Sequence, residues 1–78
     1  MSILAITKSN NAVKVWFDDF KFFVLLEDGR EIAIPLAWFP RLRDASKEQL
    51  NNWRLICDGE GIHWEDLDED ISVELLLN

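Results

Sequence analysis

The sequence predicts a small α+β fold. A single domain over residues 1–78 is expected, with an antiparallel β-meander, two further short strands, a short central helix and a C-terminal helix. Three observations predict it. Residues 12–34 hold three runs rich in β-branched and aromatic residues, separated by Asp18-Asp19 and Asp28-Gly29. Ser46-Lys47-Glu48-Gln49 reads as a capping box, the signature of a helix N-terminus. Two more apolar runs, Trp53–Cys57 and Ile62–Trp64, flank Asp58-Gly59-Glu60-Gly61, a glycine-bearing turn.

The chain has only 78 residues and one cysteine, Cys57. A domain of this size buries about 60–65% of its unfolded surface, so its stability margin is thin. A single thiol can form no internal disulfide, which points to a reducing compartment. The start, Met1–Lys8, lacks the charged segment and long apolar run of a signal peptide. A cytoplasmic protein without a membrane span is expected.

Taken in order, residues 1–11 are read as a loose start or a short edge strand. Ala12–Phe17 is the first strand, Asp18-Asp19 a tight turn, and Phe20–Leu26 the second strand. Asp28-Gly29 is read as a two-residue hairpin loop, because Gly adopts positive φ freely. Arg30–Ile34 is the third strand, ended by Pro35. With both loops two residues long, Phe17 faces Phe20, Val15 faces Phe22 and Leu25 faces Ile32. One sheet face then carries Val13, Val15, Phe17, Phe20, Phe22, Val24, Leu26 and Ala33. The other carries Ala12, Trp16, Phe23, Leu25, Ile32 and Ile34, diluted by Lys14 and Lys21. It needs a cover from the remainder of the chain or from another molecule, a second copy or a cognate protein.

Beyond Pro35, two prolines leave room for one helical turn, and Pro40 disfavours helical geometry at Phe39. The helix Lys47–Asn52 follows. Leu67–Asp70 is expected to be a polar connection, with Asp70 or Ser72 capping a final helix through Leu77. Gly61 is expected to take positive φ or to lie in close backbone contact.

Charge divides the chain. Residues 1–56 carry eight Lys/Arg against seven Asp/Glu, a net of +1, whereas 57–78 carry eight Asp/Glu and no Lys or Arg, a net of −8. The whole chain stands at −7, which disfavours direct nucleic-acid binding.

Candidate residues fall in two places. His63, the only histidine, lies among Glu65, Asp66, Asp68, Glu69 and Asp70. It could ligate a metal or act as a general base, or it could bond structurally to the acidic loop. One His and one Cys six residues apart fall short of a zinc site, and no calcium-loop pattern is present. Acids rather than cations surround Cys57, the opposite of what activates a thiolate. No catalytic residue, cofactor site or metal ligand is assigned. The second place is Trp38-Phe39-Pro40-Arg41-Leu42-Arg43, rich in the residue types that dominate binding hot spots. Arg41 and Arg43 could also pair with the acidic C-terminal part. The partner-binding candidates are Trp38, Phe39, Arg41, Arg43, His63, Trp64, Asp68, Glu69 and Asp70.

Asp28-Gly29-Arg30, Pro35–Leu42, Asn52–Ile56, Gly59–Trp64 and Leu67–Val73 together resemble the bacterial domain-of-unknown-function family 2442. The resemblance runs from about Val13 to Leu76. The chain departs from the pattern at Cys57-Asp58, where small residues are usual, at Glu65, where proline usually stands, and at Leu75, where glycine is common. The resemblance implies a small protein, often encoded beside another in toxin–antitoxin-like pairs. It implies no catalytic residues.

The reading is therefore a protein-interaction module, the antitoxin-like half of a two-gene pair, binding a protein partner or itself. The alternative is a small enzyme or metal binder centred on His63 and the Asp68–Asp70 loop. A third reading is a nucleic-acid regulator using Arg41, Arg43, Lys47 and Arg54.

Overall fold

Two three-stranded antiparallel sheets are described by the computed structural model, which covers residues 8–77. The first sheet holds β1 (Ala12–Phe17), β2 (Lys21–Leu26) and β3 (Glu31–Pro35) in chain order. The second holds β4 (Trp53–Ile56), β5 (Gly61–Trp64) and β6 (Glu69–Ser72), also in chain order. Between them lie a single 3-10 turn, Leu36–Trp38, and two short helices, α1 (Pro40–Arg43) and α2 (Lys47–Asn51). A last turn, α3 (Val73–Leu76), follows β6. The α+β expectation holds. The edge strand considered for residues 1–11 falls largely outside the described residues, and residues 8–11 form no regular element.

Both hairpin registers differ from expectation, for one reason each. At the first turn the Asp18 carboxylate accepts from the backbone N–H groups of Phe20 and Lys21, at 2.8 and 2.7 Å. Those two bonds hold the carboxyl below the usual carboxylate range. They stabilise an Asx-type turn closed by the Asp18 N–H to the Lys21 carbonyl, with Asp19-Phe20 rather than Asp18-Asp19 at its tip, so Phe17 pairs with Phe22 and Val15 with Val24. Phe20 is lifted out of the ladder into the loop. At the second turn Leu26 N–H donates to the Arg30 carbonyl, enclosing three residues, and Gly29 takes φ 96°. A three-residue hairpin with a left-handed glycine is the standard alternative to the two-residue one. Its result is that Phe22 pairs with Ile34 and Val24 with Ile32.

Those shifts exchange Ala33 with Ile32 and Ile34. The inner face carries Ala12, Val15, Phe22, Val24, Leu26 and Ile34, all buried, with Phe17 and Ile32 packed beside them. A bulge between Ala12 and Lys14 inserts Val13, which lets two residues an odd number apart both point inward. The outer face is reduced to Trp16, Phe23 and Leu25 among Lys14, Glu31 and Ala33. Trp16 stacks on Phe23 at 5.5 Å, with the Lys14 ammonium 5.7 Å from the Trp16 ring. The large second apolar face inferred from the sequence is therefore corrected: Ile32 and Ile34 belong to the core side.

The core closes around Trp64, which is completely buried. Its ring meets the edges of Phe17 and Phe22 at 6.4 and 6.2 Å, and Phe22 in turn meets Phe39 at 5.8 Å. The indole N–H donates to the Leu50 carbonyl at 3.0 Å, which satisfies its one polar atom and ties β5 to α2. Ser46 and Gln49 form both bonds of the predicted capping box. Phe39 is extended, at φ −127°, as the following proline requires.

Two elements depart from the sequence reading near the C-terminus. Glu69–Ser72 is a strand rather than a polar connection, pairing His63 with Asp70 and Ile62 with Ile71. Ser72 takes the position before α3, with no side-chain cap bond, and the Asp70 carboxylate goes to His63 instead. The left-handed backbone sits at Cys57, Asp58 and Gly59 rather than at Gly61. A side chain at Gly61 would meet chiefly that of Ile56, at 2.9 Å, whereas one at Gly59 would meet the Ala12 carbonyl oxygen at 2.4 Å.

Candidate functional site

The structure brings the sequence candidates together in two intramolecular clusters and leaves one group on the surface. The first cluster forms because antiparallel pairing of β5 and β6 places His63 opposite Asp70. Its Nδ1 meets the Asp70 carboxylate and its Nε2 meets the Glu65 carboxylate from the turn Glu65–Leu67. Arg54, opposite His63 on β4, lies 3.6 Å from Glu65. A neutral imidazole has one N–H, so two facing carboxylates require the doubly protonated ring. The hydrogen bond that His63 donates to Asp70, and then that to Glu65, raises the His63 pKa above its ordinary 6.5. The same contact with His63, aided by Arg54, lowers Glu65 below 4.5.

This arrangement has a pH signature. The His63 share of stability is fully present below pH 6.5, the unfolded value, and is lost as pH rises through the raised folded value. The Glu65 share is fully present above pH 4.5 and is lost as pH falls through its depressed value. The stability gap between wild type and His63→Gln is therefore expected to be widest between pH 4.5 and 6.5 and to narrow on either side. Thermal melts across pH check this, and a histidine NMR titration midpoint at or below 6.5 would contradict it.

The two carboxylates approach opposite ring nitrogens, so they cannot close on one ion. No group of three or more His, Cys, Asp or Glu able to hold a metal occurs among the described residues. Elemental analysis of chelator-free protein is expected to find no stoichiometric transition metal, and near-equimolar zinc or nickel would contradict it.

The second cluster is built on Arg41. Its guanidinium donates to the Asp68 carbonyl at 2.6 Å, closing the turn where Asp68 takes φ 50°. Arg41 thus pairs with the acidic C-terminal part through backbone oxygen rather than carboxylate. Arg43 instead forms a forked pair with its neighbour Asp44, at 3.0 and 3.2 Å. That pair raises Arg43 and lowers Asp44 from their ordinary pKa values.

Trp64, offered as a contact residue, is a correction: it is wholly inside and can touch no partner. Phe39 is half-buried against Phe22. Asp68 is exposed, and Glu69 is half-buried opposite Trp64 on β6. Within Trp38–Leu42, Trp38 turns outward, 65% exposed, with Pro40 and Arg41 also exposed, while Leu42 is fully buried.

Sequence reasoning missed Phe20 as a surface residue. Phe20 is 78% exposed at the β1–β2 loop, and its carbonyl accepts from the Leu36 N–H at 2.9 Å. That bond fixes the loop beside the turn that carries Trp38. The signal was the Asp18 side chain, an Asx-turn former at the head of the loop.

Beside this surface, Phe17, Asp18, Asp19, Lys47, Leu50 and Asn51 line a cleft of about 160 Å³. No helix among the described residues is long and apolar enough to cross a membrane.

Comparison with known proteins agrees with this architecture. The family described as "Protein of unknown function (DUF2442)" matches residues 12–78. A crystal structure of a protein of unknown function from Rhodospirillum rubrum is similar at 35% identity and TM-score 0.76, over 86% of this chain and 83% of that one. A solution NMR structure of an uncharacterised protein from Chromobacterium violaceum is similar at 25% identity and TM-score 0.74, over 86% of this chain and 63% of that one. No curated protein matches.

Proposed function

The chain belongs to the DUF2442 family, and from that premise we propose that it is a protein-binding module acting through Phe20 and Trp38. The observation that carries this reading is the exposure of these two large aromatics on segments joined by the Phe20–Leu36 backbone bond; the other exposed large apolar side chains, Val13 and Leu75, are aliphatic. Tryptophan at the centre of a contact contributes more binding energy than almost any other residue type. The partner is a protein with an apolar contact and basic flanks, matching a net charge of −7. The product of the adjacent gene is the first candidate, which makes this chain the antitoxin-like, occluding half of a pair. Catalysis is not part of this reading: both His63 nitrogens face carboxylates, which leaves none to take a substrate proton.

Calorimetric titration of the adjacent gene's product tests the proposal. Trp38→Ser and Phe20→Ser should each weaken binding about tenfold or more, roughly 1.4 kcal/mol, without changing the melting temperature. Unaltered affinity in both variants contradicts it.

A second reading rests on the Trp16–Phe23 stack and Leu25, the apolar part of the outer sheet face. These residues would carry a homodimer. Light scattering of wild type and Phe23→Lys across a dilution series tests that reading, and a mass that stays monomeric throughout would end it.

A further inference from the structure

Resting on that partner-binding reading, we propose that the cleft between the β1–β2 loop and α2 receives one arginine or lysine side chain of the partner protein. Phe17 and Leu50 supply apolar surface for the aliphatic stem of such a side chain. Asp18 and Asp19 supply carboxylates for its charged head. Asp18 is pinned by the two backbone N–H groups at its Oδ1, so it is ionised and oriented before any partner arrives. Asp19 is exposed and makes no hydrogen bond or ion pair among the described residues. Lys47 lines the cleft too, so with the two aspartates the lining charges sum to −1, and Lys21, outside the lining, also acts on Asp18. One incoming cation neutralises that lining charge, whereas a phosphate or an acidic peptide would be repelled.

The volume of about 160 Å³ accommodates one long side chain rather than a folded segment or a cofactor. Continuity supports the same occupant, because Asp19 is bonded directly to the exposed Phe20. A basic residue next to the partner's apolar contact would enter the cleft as that contact meets Phe20 and Trp38. The more acidic C-terminal part offers a poorer site. Glu65 and Asp70 are taken by His63, and Asp66 accepts from Asn52 at 3.0 Å.

The test titrates the ¹⁵N-labelled full chain with N-acetyl-arginine amide, with N-acetyl-glutamate amide as control. Saturable shifts are expected at the amides of Asp19, Lys47, Leu50 and Asn51 with the arginine probe alone. Asp19→Asn should weaken binding about tenfold, and Lys47→Gln should strengthen it several-fold, both at unchanged melting temperature. Equal shifts with both probes, shifts elsewhere, or no response to Asp19→Asn would overturn the proposal. The aromatic surface is read separately, through the effect of Trp38→Ser on partner affinity. Should Trp38→Ser weaken the partner while the arginine probe fails, the cleft assignment alone falls. Should the arginine probe saturate while Trp38→Ser changes nothing, the cleft stands and the aromatic surface falls.

Discussion

Gly59→Ala is expected to lower the melting temperature by about 10 °C or more, the largest effect among alanine substitutions at the three glycines. Two costs combine at that position. Gly59 takes φ 96°, where a Cβ is strained in itself by about 1 kcal/mol. The new methyl carbon would also stand 2.4 Å from the Ala12 carbonyl oxygen and 3.0 Å from its nitrogen. Those are backbone atoms of the bulged strand β1, and they cannot swing aside as a side chain can. Either β1 or the Cys57–Gly59 turn must move, for a total cost on the order of 2–4 kcal/mol. Gly29→Ala is the control, since it shares φ 96° but has nothing within 4 Å of the added carbon. It should cost only the conformational part. Gly61→Ala should fall between, because the flexible Ile56 side chain can yield. Melting curves for the three variants check the order. Gly59→Ala melting with Gly29→Ala would mean that the second sheet does not approach β1 as closely as described.

Trp64→Phe carries the second large effect. The substitution removes part of a ring that is completely buried between Phe17 and Phe22, leaving a void. It also deprives the Leu50 carbonyl of its donor. Void and unsatisfied acceptor together should cost about 2–4 kcal/mol, a large share of what so small a core supplies. Trp38→Phe, at an exposed position, should stay within about 0.5 kcal/mol of wild type. Denaturant titrations of the pair distinguish the positions. Equal midpoints would contradict the placement of Trp64 as the centre of the core.

What the sequence made legible, and what it hid, follows from where side chains reach. The Ser46–Gln49 capping box was readable because both of its bonds are local, between residues three apart. The three strands of the first sheet were readable from composition, but not their register. Register depended on where the turn sits, and the Asp18 carboxylate set that by binding two backbone N–H groups. With it moved Phe20, from an expected place in the ladder to the exposed surface. Strand β6 was hidden because Glu69 and Asp70 are poor strand formers on their own. Pairing with β5 overrides that preference, burying Ile71 beside Ile62 and giving His63 a carboxylate. Trp64 could not be told from a surface tryptophan by type, since its partner Leu50 lies fourteen residues away. The acidic neighbourhood of His63 was evident, whereas the choice of Asp70 and Glu65 required the strand pairing.

The proposed binding surface is tested most directly by amide hydrogen exchange on the chain free and in complex with the adjacent gene's product. Added protection is expected at residues 18–20, 36–39 and 47–51, with β6 and the outer-face residues Trp16 and Phe23 unchanged. Protection confined to residues 68–74 or to the outer face, with the β1–β2 loop exchanging as in the free chain, would contradict the account.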